Sequence, residues 1–138
     1  MAKVAPEGDV YQAGTLSGNP IAMAAGTAQL HELLKMSFYK DLNNKAQEFA
    51  DSIQRYSTAR NYKVKVVSVG SLFWFSFTEK EKIENADDIA PESMEKYKIF
   101  HRELINRGVY LSPSGYEVGF VSAAHTKVDL EVAKRAIF

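Results

Sequence analysis

The run Lys63-Val64-Lys65-Val66-Val67-Ser68-Val69-Gly70-Ser71-Leu72-Phe73-Trp74-Phe75-Ser76-Phe77-Thr78 decides the fold class. Its first half alternates lysine with valine and then continues in valines to Gly70, the pattern of a strand that ends at a turn. Its second half places Phe73, Phe75 and Phe77 on one face and Leu72 and Trp74 on the other, so both faces are expected to be covered. With Gly70 as the turn, the two strands read as an antiparallel hairpin.

Helical periods flank this hairpin. On its amino-terminal side Phe38, Leu42, Ala46, Phe49, Ile53 and Tyr56 recur at steps of three or four, with lysines, acids and amides on the other faces. That is an amphipathic helix lying on a core. On the other side residues 79–90 are charged and irregular. Pro91 then opens a helix whose stripe is Met94, Tyr97, Phe100, His101, Leu104 and Ile105, closed by Gly108. Val109-Tyr110-Leu111 reads as a short strand, Pro113 to Gly115 as a turn and Val118 to Val121 as another short strand. Thr126 with Asp129 forms a capping pair before a last helix. Helices on a small, hairpin-built sheet make an α+β domain.

Residues 1–19 carry no period; Pro6, Gly8, Gly14, Gly18 and Asn19 punctuate them. Asn19-Pro20 is a helix start, an N-cap side chain before a proline whose missing N–H costs nothing there. The helix is expected from Pro20 to about Lys35. Its first half, Ile21-Ala22-Met23-Ala24-Ala25-Gly26, is apolar or small on every face, so it is expected to be buried.

Composition narrows the function classes. Lysine and arginine number 17, as do aspartate and glutamate, without a block of like charge, so neither nucleic acid nor an anionic membrane is an expected partner. No stretch is long and apolar enough to span a bilayer, and the start lacks the basic-then-apolar pattern of a signal peptide. The chain therefore reads as soluble. Cysteine is absent, which removes disulfides and thiolate chemistry, and His31, His101 and His125 share no ligand spacing, so no metal is expected. His101 belongs to a helix stripe, and His125 beside Thr126 caps or orients the last helix. The aromatic run Phe73-Trp74-Phe75 raises a base-stacking sheet, the alternative of a stand-alone small-ligand or nucleic-acid module. Its flanks, Gly70-Ser71 and Thr78-Glu79, lack the basic residues such a sheet needs, which favours core packing.

The run with chemistry in it is Tyr11-Gln12-Ala13-Gly14-Thr15-Leu16-Ser17-Gly18-Asn19-Pro20. Two glycines, two hydroxyls and an asparagine stand directly before a helix amino terminus, where N–H groups and the helix dipole favour an anion. Gly14 lets the backbone come close, and Thr15 offers an amide and a hydroxyl. The same residues also serve as plain turn and cap punctuation. Spacing alone permits phosphate without requiring it.

Val4-Ala5-Pro6-Glu7-Gly8 and the Tyr11–Pro20 run resemble the phosphate-loop segment of the glutamate-1-semialdehyde 2,1-aminomutases, a branch of the class III aminotransferases that depend on pyridoxal 5'-phosphate. Gly108-Val109-Tyr110-Leu111-Ser112-Pro113-Ser114 and Tyr116-Glu117-Val118-Gly119-Phe120-Val121-Ser122-Ala123-Ala124-His125-Thr126 resemble that family's carboxy-terminal segments, in the same order. The resemblance implies a cytoplasmic, homodimeric enzyme that moves the amino group of a small-molecule substrate, glutamate-1-semialdehyde, to give 5-aminolevulinate for tetrapyrrole synthesis. It implies that Gly14 and Thr15 contact the cofactor phosphate held in the other subunit. It further implies that Glu117 faces the substrate or gates the site and that Tyr11 lies near it, although a lone loop tyrosine is equally suited to packing. The family's Schiff-base lysine and the acid on the pyridine nitrogen are expected upstream of the loop, outside these residues, because Lys3 is too near it. On this reading residues 1–36 are the edge of a large cofactor domain and residues 37–138 a small carboxy-terminal domain. Alone, such a piece is expected to fold without turnover.

Overall fold

A computed structural model describes residues 2–138 and divides the chain into two compact units, between Phe38 and Tyr39. The first is a loop and a helix. Val4 and Val10 pair in a short bridge, with Ala5 N–H donating to Val10 O at 2.9 Å and Val10 N–H to Lys3 O at 3.0 Å. Gly8 closes that turn, since a Cβ there would stand 2.2 Å from the Lys3 carbonyl carbon. Helix α1 (Pro20–Leu33) follows its Asn19 cap.

Contrary to the expected burial, α1 has no buried residue; Ile21 is 80% exposed. A helix is buried only against a second layer. The residues of its own unit supply a loop and no such layer.

The second unit is the α+β domain that the hairpin called for. Helix α2 (Phe38–Ala59) is followed by β1 (Val64–Val69) and β2 (Leu72–Phe77), a 3-10 turn at Ala86–Asp88, α3 (Pro91–Asn106), β3 (Gly119–Phe120) and α4 (Lys127–Ile137). The strands form one antiparallel sheet in the order β1-β2-β3, with Val69 opposite Leu72 and Val64 opposite Phe77. Gly70 turns the hairpin at φ 59°, the left-handed geometry that glycine adopts without strain.

The core forms where α2 meets one face of the sheet: Ala46, Phe49, Ala50 and Ile53 pack on Phe73, Phe75 and Val121. Each buried phenylalanine, isoleucine or valine among them contributes about 1.5–3 kcal/mol. Phe73 and Phe75 are therefore core rings, and Trp74 Nε1 is spent on Gly115 O at 2.7 Å, which leaves no base-stacking face of the kind considered above. The β1 edge and the far end of β2 are each met by a side chain. Gln54 of α2 accepts from Val66 N–H at 2.8 Å and donates to Val64 O at 3.3 Å, taking the place of a fourth strand beside β1. Ser93 of α3 accepts from Phe77 N–H at 3.1 Å where the two-residue β3 does not reach.

Three expectations need correction. Val109-Tyr110-Leu111 is not a strand: no neighbouring strand pairs with it, and the Leu111 carbonyl is met by the His101 side chain instead. The Val118–Val121 strand shrinks to Gly119–Phe120, after which Val121 N–H turns to Ser71 O at 2.9 Å. Ile105 falls at the edge of the α3 stripe and is exposed, while the inward position goes to Ser93.

Candidate functional site

The loop before α1 contains one candidate site. A turn from Gly14 to Ser17 is closed by Ser17 N–H on Gly14 O at 3.0 Å, and a second from Leu16 by Asn19 N–H on Leu16 O at 3.1 Å. A Cβ on Gly14 would meet only the tip of the Ser17 side chain, which can rotate away, so the turn itself does not demand glycine there. Asn19 Oδ1 accepts from Ile21 N–H at 3.0 Å and from Ala22 N–H at 3.1 Å, and Asn19 O accepts from Met23 N–H at 2.9 Å. The helix end therefore keeps no free first-turn donor for an anion. Its cap has consumed them.

The donors that remain lie in the loop itself. Among the described residues, the N–H groups of Thr15, Leu16 and Gly18 and the hydroxyls of Thr15 and Ser17 bond to no protein acceptor. Gly18, at φ 74°, follows three residues of ordinary handedness, and such a change of hand turns successive N–H groups toward one side. This donor set suits a phosphate. Tyr11 stands at the start of the loop and is 83% exposed, so it is not a packing residue of this unit.

The second unit contains the other candidate, Glu117, at the rim of a cleft of about 750 Å³. Phe49 and Phe73 line its depth, the segment 108–113 one wall and α4 the other, with Glu117, His125 and Asp129 as its acid and imidazole groups. Glu117 is exposed and accepts a hydrogen bond from Ser112 Oγ. Its charge is felt next door. Burial first, and then the Glu117 carboxylate and Tyr110, push the Tyr97 phenol above its ordinary value.

His125 is held by its own turn. Its Nδ1 accepts from Ser122 N–H at 2.9 Å, which leaves the ring proton on Nε2, and Lys45 donates to Ala123 O at 3.2 Å and His125 O at 2.8 Å. The Thr126–Asp129 capping box forms as expected, and the Thr126 hydroxyl and N–H hold the Asp129 carboxyl below the usual range. A second cleft of about 360 Å³, floored by Ile53, Phe75 and Phe100, contains no acid or imidazole. Among the described residues, no group of three His, Cys, Asp or Glu side chains is placed to hold a metal ion.

Gly14, Thr15 and Tyr11 thus share one loop in the first unit, whereas Glu117 stands in the second. Missed from the sequence were Ser112, which bonds Glu117, and the anchoring uses of Trp74, Tyr97 and His101. One signal was present: a tyrosine, tryptophan or histidine on an apolar stripe needs a partner for its polar tip.

Sequence comparison bears on what such a pair of units belongs to. Over 134 residues, 97% of this chain, it is 44% identical to the glutamate-1-semialdehyde 2,1-aminomutases of Legionella pneumophila strains Paris and Corby. The chain is homologous to part of such an aminomutase. It spans 31% of the length of these relatives. The alignment thereby runs through the stretch between the motifs at the two ends. No protein-family model matches the chain. Among solved structures, an omega-transaminase from Sphaerobacter thermophilus superposes with a TM-score of 0.75 at 19% identity, covering 92% of this chain and 28% of that one. A beta-phenylalanine aminotransferase from Variovorax paradoxus does so with a TM-score of 0.76 at 22% identity, covering 94% and 30%. These likenesses give the fold: the aminomutase-like segment adopts an arrangement found within transaminases.

Proposed function

We propose that this chain is the carboxy-terminal part of a pyridoxal-phosphate-dependent aminomutase that converts glutamate-1-semialdehyde to 5-aminolevulinate in the cytoplasm. The observation that carries the reading is the 44% identity over 134 residues, which includes the loop with its unspent donors. Residues 1–36 would then be the edge of the cofactor domain and residues 37–138 the small domain.

Thr15, with the N–H groups of Leu16 and Gly18, binds the phosphate of a cofactor seated across a homodimer. Gly14, without a side chain, leaves the backbone open to that approach. When bound, the cofactor supplies an electron sink, and the protein supplies orientation and protonation control. On this reading no lysine of this chain takes the covalent role. Glu117 faces the substrate with a fixed negative charge, while the apolar depth of its cleft keeps water away. Tyr11, exposed at the loop's start, lies near the active site.

The test is a chimera in which these residues replace the matching stretch of a Legionella pneumophila aminomutase. Turnover of glutamate-1-semialdehyde is expected. Thr15→Val in that chimera is expected to weaken cofactor retention by about 1.5–3 kcal/mol, the range for a hydrogen bond to a charged group. A chimera that folds and keeps its cofactor through dialysis yet does not turn over would refute the aminomutase reading.

A further inference from the structure

The segment from Leu111 to Glu117 has no strand partner of its own, yet three aromatic side chains of other elements grip its backbone. His101 Nε2 lies 3.0 Å from Leu111 O, Tyr97 OH donates to Ser112 O at 2.7 Å, and Trp74 Nε1 donates to Gly115 O at 2.7 Å. A carbonyl only accepts, so the His101 nitrogen facing it carries the proton. Tyr97 is buried to 4% exposure, and Gly115 packs so tightly that a Cβ there would stand 2.8 Å from Tyr97 Cγ and 2.9 Å from Met94 Sδ. The chain then turns through Ser114, whose carbonyl accepts from Glu117 N–H at 3.1 Å. At the end of this fastened stretch the Ser112 hydroxyl reaches forward five residues to the Glu117 carboxylate.

We propose that Ser112 is a positioning residue: its hydroxyl holds one oxygen of Glu117 on a loop fixed by Tyr97, His101 and Trp74, so that the other oxygen faces the cleft. The inference rests on the reading of Glu117 as a site carboxylate and deepens it, because a carboxylate on a fastened loop acts as a stationary charge rather than as a swinging gate. Nothing in the family motifs quoted above assigns Ser112 this part. A hydroxyl suits it, being a donor short enough to reach the carboxylate without carrying a charge of its own into the cleft.

Tyr97 provides a reporter within this chain, needing neither cofactor nor substrate. Its phenol faces Glu117, Tyr110 and the His101 ring, whose centroid is 6.0 Å from its own. Removing the negative charge in Glu117→Gln is expected to lower the Tyr97 titration midpoint, followed by the ¹³Cζ resonance. Ser112→Ala frees the carboxylate toward solvent, so the midpoint is expected to fall part of the way in the same direction. Ser112→Thr, which keeps the hydroxyl, is expected to titrate like the wild type, and Ser112→Ala added to Glu117→Gln is expected to change nothing further. An unchanged or raised midpoint in Ser112→Ala, with Glu117→Gln lowered, overturns the positioning role. A Glu117→Gln midpoint equal to wild type overturns it as well. The chimera assay fails or succeeds independently of these titrations, so loss of the aminomutase reading and loss of the Ser112 role are told apart.

Discussion

Gly119→Ala tests whether the cleft wall and the core share one fastening. In β3 this glycine is paired opposite Phe73, and an added Cβ would stand 2.2 Å from Phe73 Cζ and 2.6–2.7 Å from its two Cε atoms. Carbon atoms rest at about 3.5–4 Å, so the overlap exceeds 1 Å. The ring is held on two sides: Phe73 is 5% exposed and packs edge-on against Phe49 at 5.3 Å and Phe75 at 5.6 Å between centroids. Overpacking of this kind costs about 1–3 kcal/mol. The alternative is for the two-residue β3 to peel away, which forfeits the pairing of Leu72 with Phe120 and the bond from Val121 N–H to Ser71 O. Either route gives a loss near 2 kcal/mol, and with a urea slope of about 2 kcal/mol per molar the midpoint falls by about 1 M. Phe73→Leu removes the blocking ring end. The double variant is therefore expected to be more stable than the sum of the single losses, with a coupling of about 0.5–3 kcal/mol. A Gly119→Ala midpoint equal to wild type, or strictly additive losses, would refute the contact argument.

Two further outcomes follow from local electrostatics and capping. The Lys80 ammonium at 2.8 Å, then the Glu84 and Asn85 N–H groups, hold the Asp88 carboxyl down to about 2. Its folded value lies below the unfolded one near 3.9, so its stabilisation is present above about pH 4 and lost as pH falls toward 2; Asp88→Asn is expected to flatten the acid limb between those values, and an unchanged acid-unfolding curve would contradict the assignment. Thr126→Ala removes the acceptor for Asp129 N–H and the donor to its carboxylate, and is expected to cost about 1 kcal/mol, read as faster hydrogen exchange in the first turn of α4 with the β1–β2 amides unchanged.

The elements that were legible in the sequence are those whose cause is local. The α2 stripe, the 63–78 hairpin, the Pro91 start and the Thr126–Asp129 box each depend on residues within a turn or two of one another, and each appears within a residue or two of its expected place. What was misread depends on distance along the chain. Val109-Tyr110-Leu111 has the apolar composition of a strand, but its neighbourhood is set by side chains 10 to 41 residues away that take the carbonyls of this loop. The Gln54 clamp on β1 is hidden for the same reason, since its residue sits on the polar side of a helical pattern and gives no sign that a strand edge lies beside it.

The loop before α1 shows a different failure, in which two sound local readings compete for the same atoms. Asn19 before Pro20 is a capping signal, and a helix amino terminus is an anion signal, but a cap that satisfies Ile21 and Ala22 removes the donors on which the second signal depends. The anion reading keeps its force only because Gly14 and Gly18 bracket a turn with donors of its own. On the proposed reading, the helix would act on a phosphate as a rigid support and through its dipole rather than through its N–H groups. On that reading Asn19 and Thr15 carry separable roles: the first holds the loop's entry into α1, and the second would meet the ligand. A substitution at Asn19 therefore acts on helix stability before it acts on any anion, whereas one at Thr15 leaves the helix intact.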